Sequence, residues 1–233
     1  MGLKYKRVLL KLSGEGLLGE GKIIDHKKVS DLADVIKKCI EAGLEMAIVI
    51  GGGNIWRGAK HGEVERVTAD YMGMLATVIN AMAFGDALAK IGLEHRLTTA
   101  FSIKSIGEPY YVKKVQRHLE KGRVVLLSGG TGLPYFSTDT GAALRAAEIN
   151  ADIILKATNV DGVYTADPDV DKNATKFDKI ALNDILKGKL RVMDLTAATF
   201  SDDNKIKMLV FNVSDPENIW RAVNGEGIGT LVE

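Results

Sequence analysis

The chain has 233 residues, 46% hydrophobic and 26% charged, with 4 prolines; that is enough for a sizeable core, and a single domain over residues 1–233 is expected rather than two small ones. Lys plus Arg (31) and Asp plus Glu (30) leave a formal charge of +1. Nothing global therefore points to nucleic acid or an anionic membrane, and any phosphate site has to be a local concentration of donors. The lone cysteine, Cys39, allows neither an internal disulfide framework nor a cysteine zinc cluster.

The start, Met1-Gly2-Leu3-Lys4-Tyr5-Lys6-Arg7, leads into a short apolar run broken by Lys11. It does not read as a signal peptide, and no run of about 18 apolar residues is read as a bilayer span. A cytoplasmic, reducing compartment with no membrane partner is expected. Strands are expected at Arg7–Leu12, Glu45–Ile50, His95–Thr99, Arg123–Leu127, Asp152–Lys156, Lys207–Phe211 and Gly229–Val232. Most are continuous apolar runs, which suits strands covered on both faces of a mainly parallel sheet. Helices lie between them. Val29, Leu32, Ile36 and Cys39 with Ile40 recur at helical spacing within His26–Ala42. Met72, Leu75, Ile79 and Met82 do the same in a long segment from about Glu63 to Ile91. Thr138–Asn150, Leu182–Lys187 and Pro216–Asn224 complete the set. This alternation predicts an α/β fold, a three-layer α/β/α sandwich with a mainly parallel central sheet. Cys39 reads as core, and Met72, Met74 and Met82 as core or subunit interface. Asp161–Asn173, rich in turn residues, reads as an ordered bend rather than a linker.

Four segments share one design, a strand end followed by glycine, hydroxyl and charged residues. Lys11-Leu12-Ser13-Gly14-Glu15-Gly16 offers a point charge and exposed backbone amides. Gly51-Gly52-Gly53-Asn54 lets the backbone approach an anion closely, and Arg57 follows with a guanidinium able to make two hydrogen bonds to phosphate. Ser128-Gly129-Gly130-Thr131-Gly132 runs through Leu133-Pro134-Tyr135-Phe136-Ser137-Thr138 to Asp139 and a helix. Lys156-Ala157-Thr158-Asn159 precedes Asp161, Tyr164 and Asp167. Ligands of open parallel sheets collect at the carboxyl ends of strands. Parallel strands would therefore bring Lys11, Arg57 and Lys156 together with Asp139 and Asp167. Phosphoryl transfer needs that inventory: cations, backbone donors and carboxylates able to organise Mg²⁺.

Each feature has a plainer reading when taken alone. The glycine triplet can be a tight strand-to-helix turn, Lys11 a solvated strand end, Asp139 a helix N-terminal cap, and Asp161 and Asp167 turn residues. Four such loops at four strand ends are harder to assign to coincidence. No Gly-x-x-x-x-Gly-Lys-Ser/Thr occurs, so a P-loop kinase is unsupported, and no Gly-x-Gly-x-x-Gly follows the first strand. His26, His61, His95 and His118 are scattered without metal-ligand spacing and read as structural.

At these loops the sequence resembles the bacterial uridylate kinase family, a branch of the amino acid kinase superfamily. The matching segments begin at Tyr5 (YKRVLLKLSGE), Val49 (VIGGGNIWRG), Ala69 (ADYMGMLAT), Gly130 (GTGLPYFSTD), Leu155 (LKATNVDGVYTADP) and Val192 (VMDL), in order over nearly the whole chain. The resemblance implies transfer of the ATP γ-phosphoryl to UMP, giving UDP for pyrimidine nucleotide (CTP) synthesis, with Mg²⁺ as cofactor and its ligands unknown. Lys11, Leu12, Ser13, Gly14, Gly53 and Arg57 would surround the ATP phosphates. Thr158 or Asn159, Tyr164 and Asp167 would line the ATP side further along. Gly52, Asp70 and the stretch Thr131, Gly132, Leu133, Pro134, Tyr135, Phe136, Ser137, Thr138 would hold UMP, with Asp70 suited to the ribose hydroxyls. Residues up to about 150 would form mostly the UMP side, and 151–233 mostly the ATP side. Lys11, Arg57 and Lys156 would stabilise charge on the transferring group, with Asp139 beside it. A UMP phosphate oxygen is already nucleophilic at neutral pH, so Asp139 is assigned to positioning or metal organisation rather than proton abstraction. A homohexamer and feedback by UTP are also implied.

Leu133 stands where the family usually has asparagine, and the loop Gly16–Ile24 is short beside members activated by GTP, so GTP activation is not expected. Two other functions fit the glycine loops: an acyl-phosphate kinase of the same fold, and a nucleotide-sensing module without turnover. Asp70-Tyr71-Met72-Gly73-Met74 and the Thr131–Thr138 stretch favour a nucleotide acceptor over the first. The presence of three cations argues against the second.

Overall fold

The computed structural model describes residues 2–57, 64–166, 170–188, 190 and 192–233, with the backbone alone at 187 and 188. In chain order the elements are β1 (Arg7–Leu12), α1 (His26–Glu41), β2 (Glu45–Ile50), α2 (Arg66–Lys90), β3 (His95–Thr99), β4 (Glu108–Pro109), α3 (Val112–Glu120) and β5 (Val124–Ser128). There follow α4 (Thr138–Ile149), β6 (Ile153–Thr158), β7 (Val163–Tyr164), β8 (Lys176–Phe177), β9 (Lys179–Ile180), α5 (Leu182–Gly188), α6 (Leu195–Asp203), β10 (Met208–Asn212), α7 (Glu217–Val223) and β11 (Thr230–Val232).

Among the described residues, nine strands form one sheet in the order β4-β3-β5-β2-β1-β6-β10-β11-β9. Every pairing is parallel except β10 with β11. Side chains alternate between the faces of each strand. Leu10, Leu12, Ile48, Leu155 and Phe211 pack with Ile36 of α1 and Phe84 and Leu88 of α2 on one side. Leu9, Val49, Val125, Ile154 and Val210 pack with Ala142 and Ala146 of α4 on the other. The result is the expected α/β/α layering, each buried Leu, Ile or Phe contributing roughly 1.5–3 kcal/mol by leaving water. Lys11 follows Leu9 at a spacing of two, and Lys156 follows Ile154. Both lysines therefore belong to the α4 side of the sheet.

Two helices have no counterpart among the expected elements. In α3 only Val115, His118 and Leu119 are buried within a run of charged residues. In α6 the buried residues are Ala197, Ala198 and Ser201, too small to write an apolar stripe into the sequence. β6 also runs two residues past its expected end, because the parallel ladder with β10 continues to Thr158 opposite Asn212. Lys156 thus lies inside a strand and not in the loop after it.

The expectation that no run is long and apolar enough to span a bilayer needs one qualification. α2, at 25 residues, is long and apolar enough to cross a bilayer by length and composition, but half of its apolar window is buried in the protein. It packs on α1, β2, β3 and β5 as a core helix.

Candidate active site

The register of β1 on β6 places Lys11 directly opposite Lys156. Ser137 caps α4, its hydroxyl accepting from the Thr140 amide, and Asp139 follows in the first turn, over the same face of the sheet. Lys11 Nζ lies 2.9 Å from Asp139 Oδ1, and Lys156 Nζ lies 2.6 Å from Oδ2. Lys156 also donates to the Val192 carbonyl at 2.5 Å. The three side chains are mostly buried, at 12%, 8% and 20% exposed for Lys11, Lys156 and Asp139. Burial works to raise the Asp139 carboxyl, but Lys11 and Lys156 outweigh it and hold the group below the usual carboxylate range. Burial draws the Lys156 ammonium below the usual lysine range; Asp139 partly restores it, and the charge on Lys11 opposes that restoration. Two cations side by side on one anion leave local positive charge for a second anionic group.

The loops after β1 and β2 pack against each other. A Cβ on Gly14 would come within 2.5 Å of Asn54 Oδ1 and 2.6 Å of the Gly51 carbonyl, so only glycine fits without displacing the glycine turn. Ser13 accepts from the Gly16 amide and caps a single helical turn, Gly14–Leu17. Arg57 is salt-bridged to Glu15 and lies along Gly53. It therefore joins the glycine loops but not the Asp139 ion pair.

A cavity of about 240 Å³ is bordered by Gly52, Gly53, Asp70, Thr131, Leu133, Phe136, Ser137 and Thr138. Of the expected acceptor residues, Gly132, Pro134 and Tyr135 are not in its lining, though they belong to the same loop. Asp70 Oδ2 accepts from the Tyr135 amide at 2.7 Å and from Arg66 Nε at 2.8 Å, tying α2 to that loop. Thr131 Oγ1 donates to the Leu133 carbonyl and accepts from its amide, both at 3.1 Å. Leu133, at the border of this cavity, is 60% exposed.

A second cavity, about 350 Å³, is bordered by Leu12, Ser13, Gly16, Asn159 and Val213 among others. It brings the ends of β1, β6 and β10 together. Thr158 at the end of β6 spends its hydroxyl on Val160. Tyr164 lies on the β7–β8 hairpin and donates to Asp161 at 2.6 Å, while Lys176 contacts the same carboxylate at 3.0 Å. Asp167 lies outside the described residues. Among the described residues no group of three or more His, Cys, Asp or Glu side chains is placed to hold a metal ion.

Sequence reasoning missed Glu15, Thr77, Asn80 and Asp194. Asp194 caps α6 through the Ala197 amide at 3.0 Å and accepts from Thr140 at 3.0 Å and from Ser137. It thereby ties the Val192–Asp194 segment to the start of α4. Thr77 and Asn80 were legible as polar residues inside an apolar helical stretch, a pattern that calls for buried partners.

A family model for the amino acid kinase family matches residues 6–212. The chain belongs to that family, and it is a kinase. Its solved relatives include the UMP kinase of Bacillus anthracis, at 38% identity and TM-score 0.95, the match covering 98% of this chain and 96% of that one. The UMP kinase of Ureaplasma parvum matches at 37% identity and TM-score 0.93, over 99% of both chains. The uridylate kinase of Archaeoglobus fulgidus matches at 32% identity and TM-score 0.75, over 97% of this chain and 99% of that one.

Proposed function

We propose that this chain transfers the γ-phosphoryl of ATP to UMP, giving UDP for pyrimidine nucleotide synthesis. The observation that carries the reading is the Lys11–Asp139–Lys156 bridge, set beside the stacked glycine turns and a cavity reached by Asp70. UMP occupies that cavity, with Asp70 toward the ribose and the Thr131–Thr138 loop around base and phosphate. ATP lies across the ends of β1 and β6, its phosphates over Lys11–Gly14, Gly53 and Arg57. Thr158 or Asn159, Tyr164 and Asp167 serve its nucleoside side. Residues up to about 150 then serve mostly UMP and 151–233 mostly ATP.

The acceptor phosphate oxygen is itself the nucleophile, so the protein's work is alignment and charge stabilisation. Asp139 holds Lys11 and Lys156 at the separation where both ammonium groups face the transferring group. Arg57 exchanges the Glu15 carboxylate for a phosphate, an anion its planar fork matches equally well. Both Asp139 oxygens are taken by lysines, so the donor set suits Mg²⁺ that arrives on the ATP phosphates rather than an ion caged by side chains. When bound, the ion would neutralise charge on the phosphate oxygens.

The exposed side of α2 presents Tyr71, Met72, Leu75, Ile79 and Met82, each more than a third exposed. That apolar stripe supports a homo-oligomer, a hexamer by resemblance; the cytoplasm is the compartment expected from the sequence. A coupled assay with ATP and Mg²⁺ and, separately, UMP, glutamate or carbamate tests the acceptor. UDP formation from UMP alone is expected; turnover of a carboxylate without UMP would replace this reading with an acyl-phosphate kinase. UMP and ATP binding without turnover would leave a nucleotide sensor. Light scattering on the purified protein tests the assembly.

A further inference from the structure

We infer that Thr77 and Asn80 are positioning residues that set the spacing between the two glycine turns of the site, each holding one turn against α2. The inference rests on the UMP kinase reading above and adds residues to it. Both side chains are polar yet buried inside an otherwise apolar stretch of helix, at 5% and 0% exposed. They stand three residues apart, on one face of α2. A buried amide or hydroxyl is tolerated only when its hydrogen bonds are made, and here the bonds go to the functional loops.

Asn80 Nδ2 donates to the Gly51 carbonyl at 2.7 Å and to Asn54 Oδ1 at 2.7 Å, and Asn80 Oδ1 accepts from Asn54 Nδ2 at 2.9 Å. This reciprocal amide pair clamps both ends of the turn after β2. Thr77 Oγ1 donates to the Met74 carbonyl at 2.7 Å, which turns the hydroxyl's lone pairs toward the Gly129 amide, and that amide donates to it at 2.8 Å. Gly129 opens the turn after β5 with φ +81°. Between the two bonds Gly52 lies directly on the helix, where a Cβ would meet the Gly73 carbonyl at 2.7 Å and Ala76 Cβ at 2.8 Å.

The strands β2 and β5 are neighbours, but a ladder alone leaves the turns beyond it free to splay. One rigid helix bonded to both turns removes that freedom. Gly52 and Gly53 border the acceptor cavity from one turn, and Gly130 and Thr131 border it from the other. Gly53 is also placed at the ATP phosphates. Thr77 therefore governs the acceptor side, while Asn80 governs a turn shared by both nucleotides. Reacting groups tolerate little misplacement, so loss of either tether should be visible in kinetics and not only in stability.

The test compares Thr77→Val, which keeps shape and removes the hydroxyl, with Thr77→Ser, which keeps the hydroxyl, and adds Asn80→Ser. KM for UMP and ATP, kcat, calorimetric binding of UMP, and Tm are measured for each. Thr77→Val is expected to raise KM and Kd for UMP about tenfold or more while KM for ATP moves less than about threefold. Thr77→Ser should stay within about threefold of wild type throughout, and Asn80→Ser should raise both KM values and lower kcat about tenfold. A Thr77→Val or Asn80→Ser protein with lowered Tm but wild-type constants would make the bonds merely structural and overturn the inference. Thr77→Ser behaving like Thr77→Val would do the same. If Thr77→Val does not fold, Thr77→Ala carries its expectation; failure of both, with Thr77→Ser normal, would mark the hydroxyl as a folding requirement and also overturn it. Wild-type protein that neither binds nor phosphorylates UMP would instead sink the UMP reading, which separates the two failures.

Discussion

Lys11 and Lys156 face each other as register partners on adjacent parallel strands, and their ammonium groups are kept together by opposite oxygens of Asp139. Two buried like charges at that separation repel unless an anion lies between them. The carboxylate solves this in the protein itself, and it leaves the pair ready for a second anion of greater charge. Arg57 shows the same logic at the next loop, where Glu15 occupies its guanidinium.

Removing one of these cations should cost catalysis more than binding. Lys11→Ala or Arg57→Ala is expected to lower kcat about 10²-fold or more, the usual scale for one lost transition-state donor. Steady-state kinetics with UMP and ATP checks this, and an unchanged kcat in both variants would remove them from the mechanism.

Acid should weaken the bridge in a defined direction. The folded Asp139 carboxyl lies below its ordinary range, so its contribution to stability is complete above roughly pH 4 and fades as pH falls through the lower folded value. Lys156 acts in the same direction in a more alkaline window: its folded value lies below the ordinary lysine range, so stability rises as pH climbs from that value toward the unfolded one. Urea unfolding across pH should therefore show wild type losing its advantage over Asp139→Asn in acid. Parallel curves for the two proteins would contradict the assigned shift.

Asp70 holds the Thr131–Thr138 loop to α2 through the Tyr135 amide and is itself bonded to Arg66 of the same helix. Asp70→Asn is expected to raise KM for UMP about tenfold, the scale of a lost charge-assisted hydrogen bond, with a smaller effect on ATP. A change confined to ATP would mean that the two nucleotide pockets are assigned in reverse.

Gly52 has no room for a methyl group, since Gly73 and Ala76 close over it. Gly52→Ala should destabilise the fold by about 1–3 kcal/mol through overpacking and weaken UMP binding. Thermal unfolding together with UMP calorimetry measures both consequences.

Leu133 departs from the asparagine usual among uridylate kinases, yet the backbone there is held by Thr131 and the leucine side chain is exposed. Leu133→Asn should accordingly shift KM for UMP by no more than about threefold, the size typical of a surface exchange. A tenfold gain in affinity would show that the side-chain contact matters.

Much of the fold was legible from local pattern. β1 and β2 carry the continuous apolar runs that marked them, because buried strands in a parallel sheet need hydrophobic residues on both faces. α1 was equally legible, since Val29, Leu32, Ile36 and Cys39 fall on one helical face. By contrast α6 buries only alanines and a serine, and its place comes from packing on α4 and α5.

The sequence alone determined which chemical groups stand at the strand ends, including Lys11, the glycine turns and Asp139, and the period of two placed each lysine on a face of its strand. It held no information on which strands would be neighbours. β1 and β6 are far apart in the chain, and only the long-range burial that orders the sheet brings Lys11 opposite Lys156. The engagement of Arg57 by Glu15 and the grip of Thr77 and Asn80 on the two turns were decided there as well. Side-chain partners across a core depend on which surfaces exclude water together, and that is a property of the assembled chain rather than of any segment.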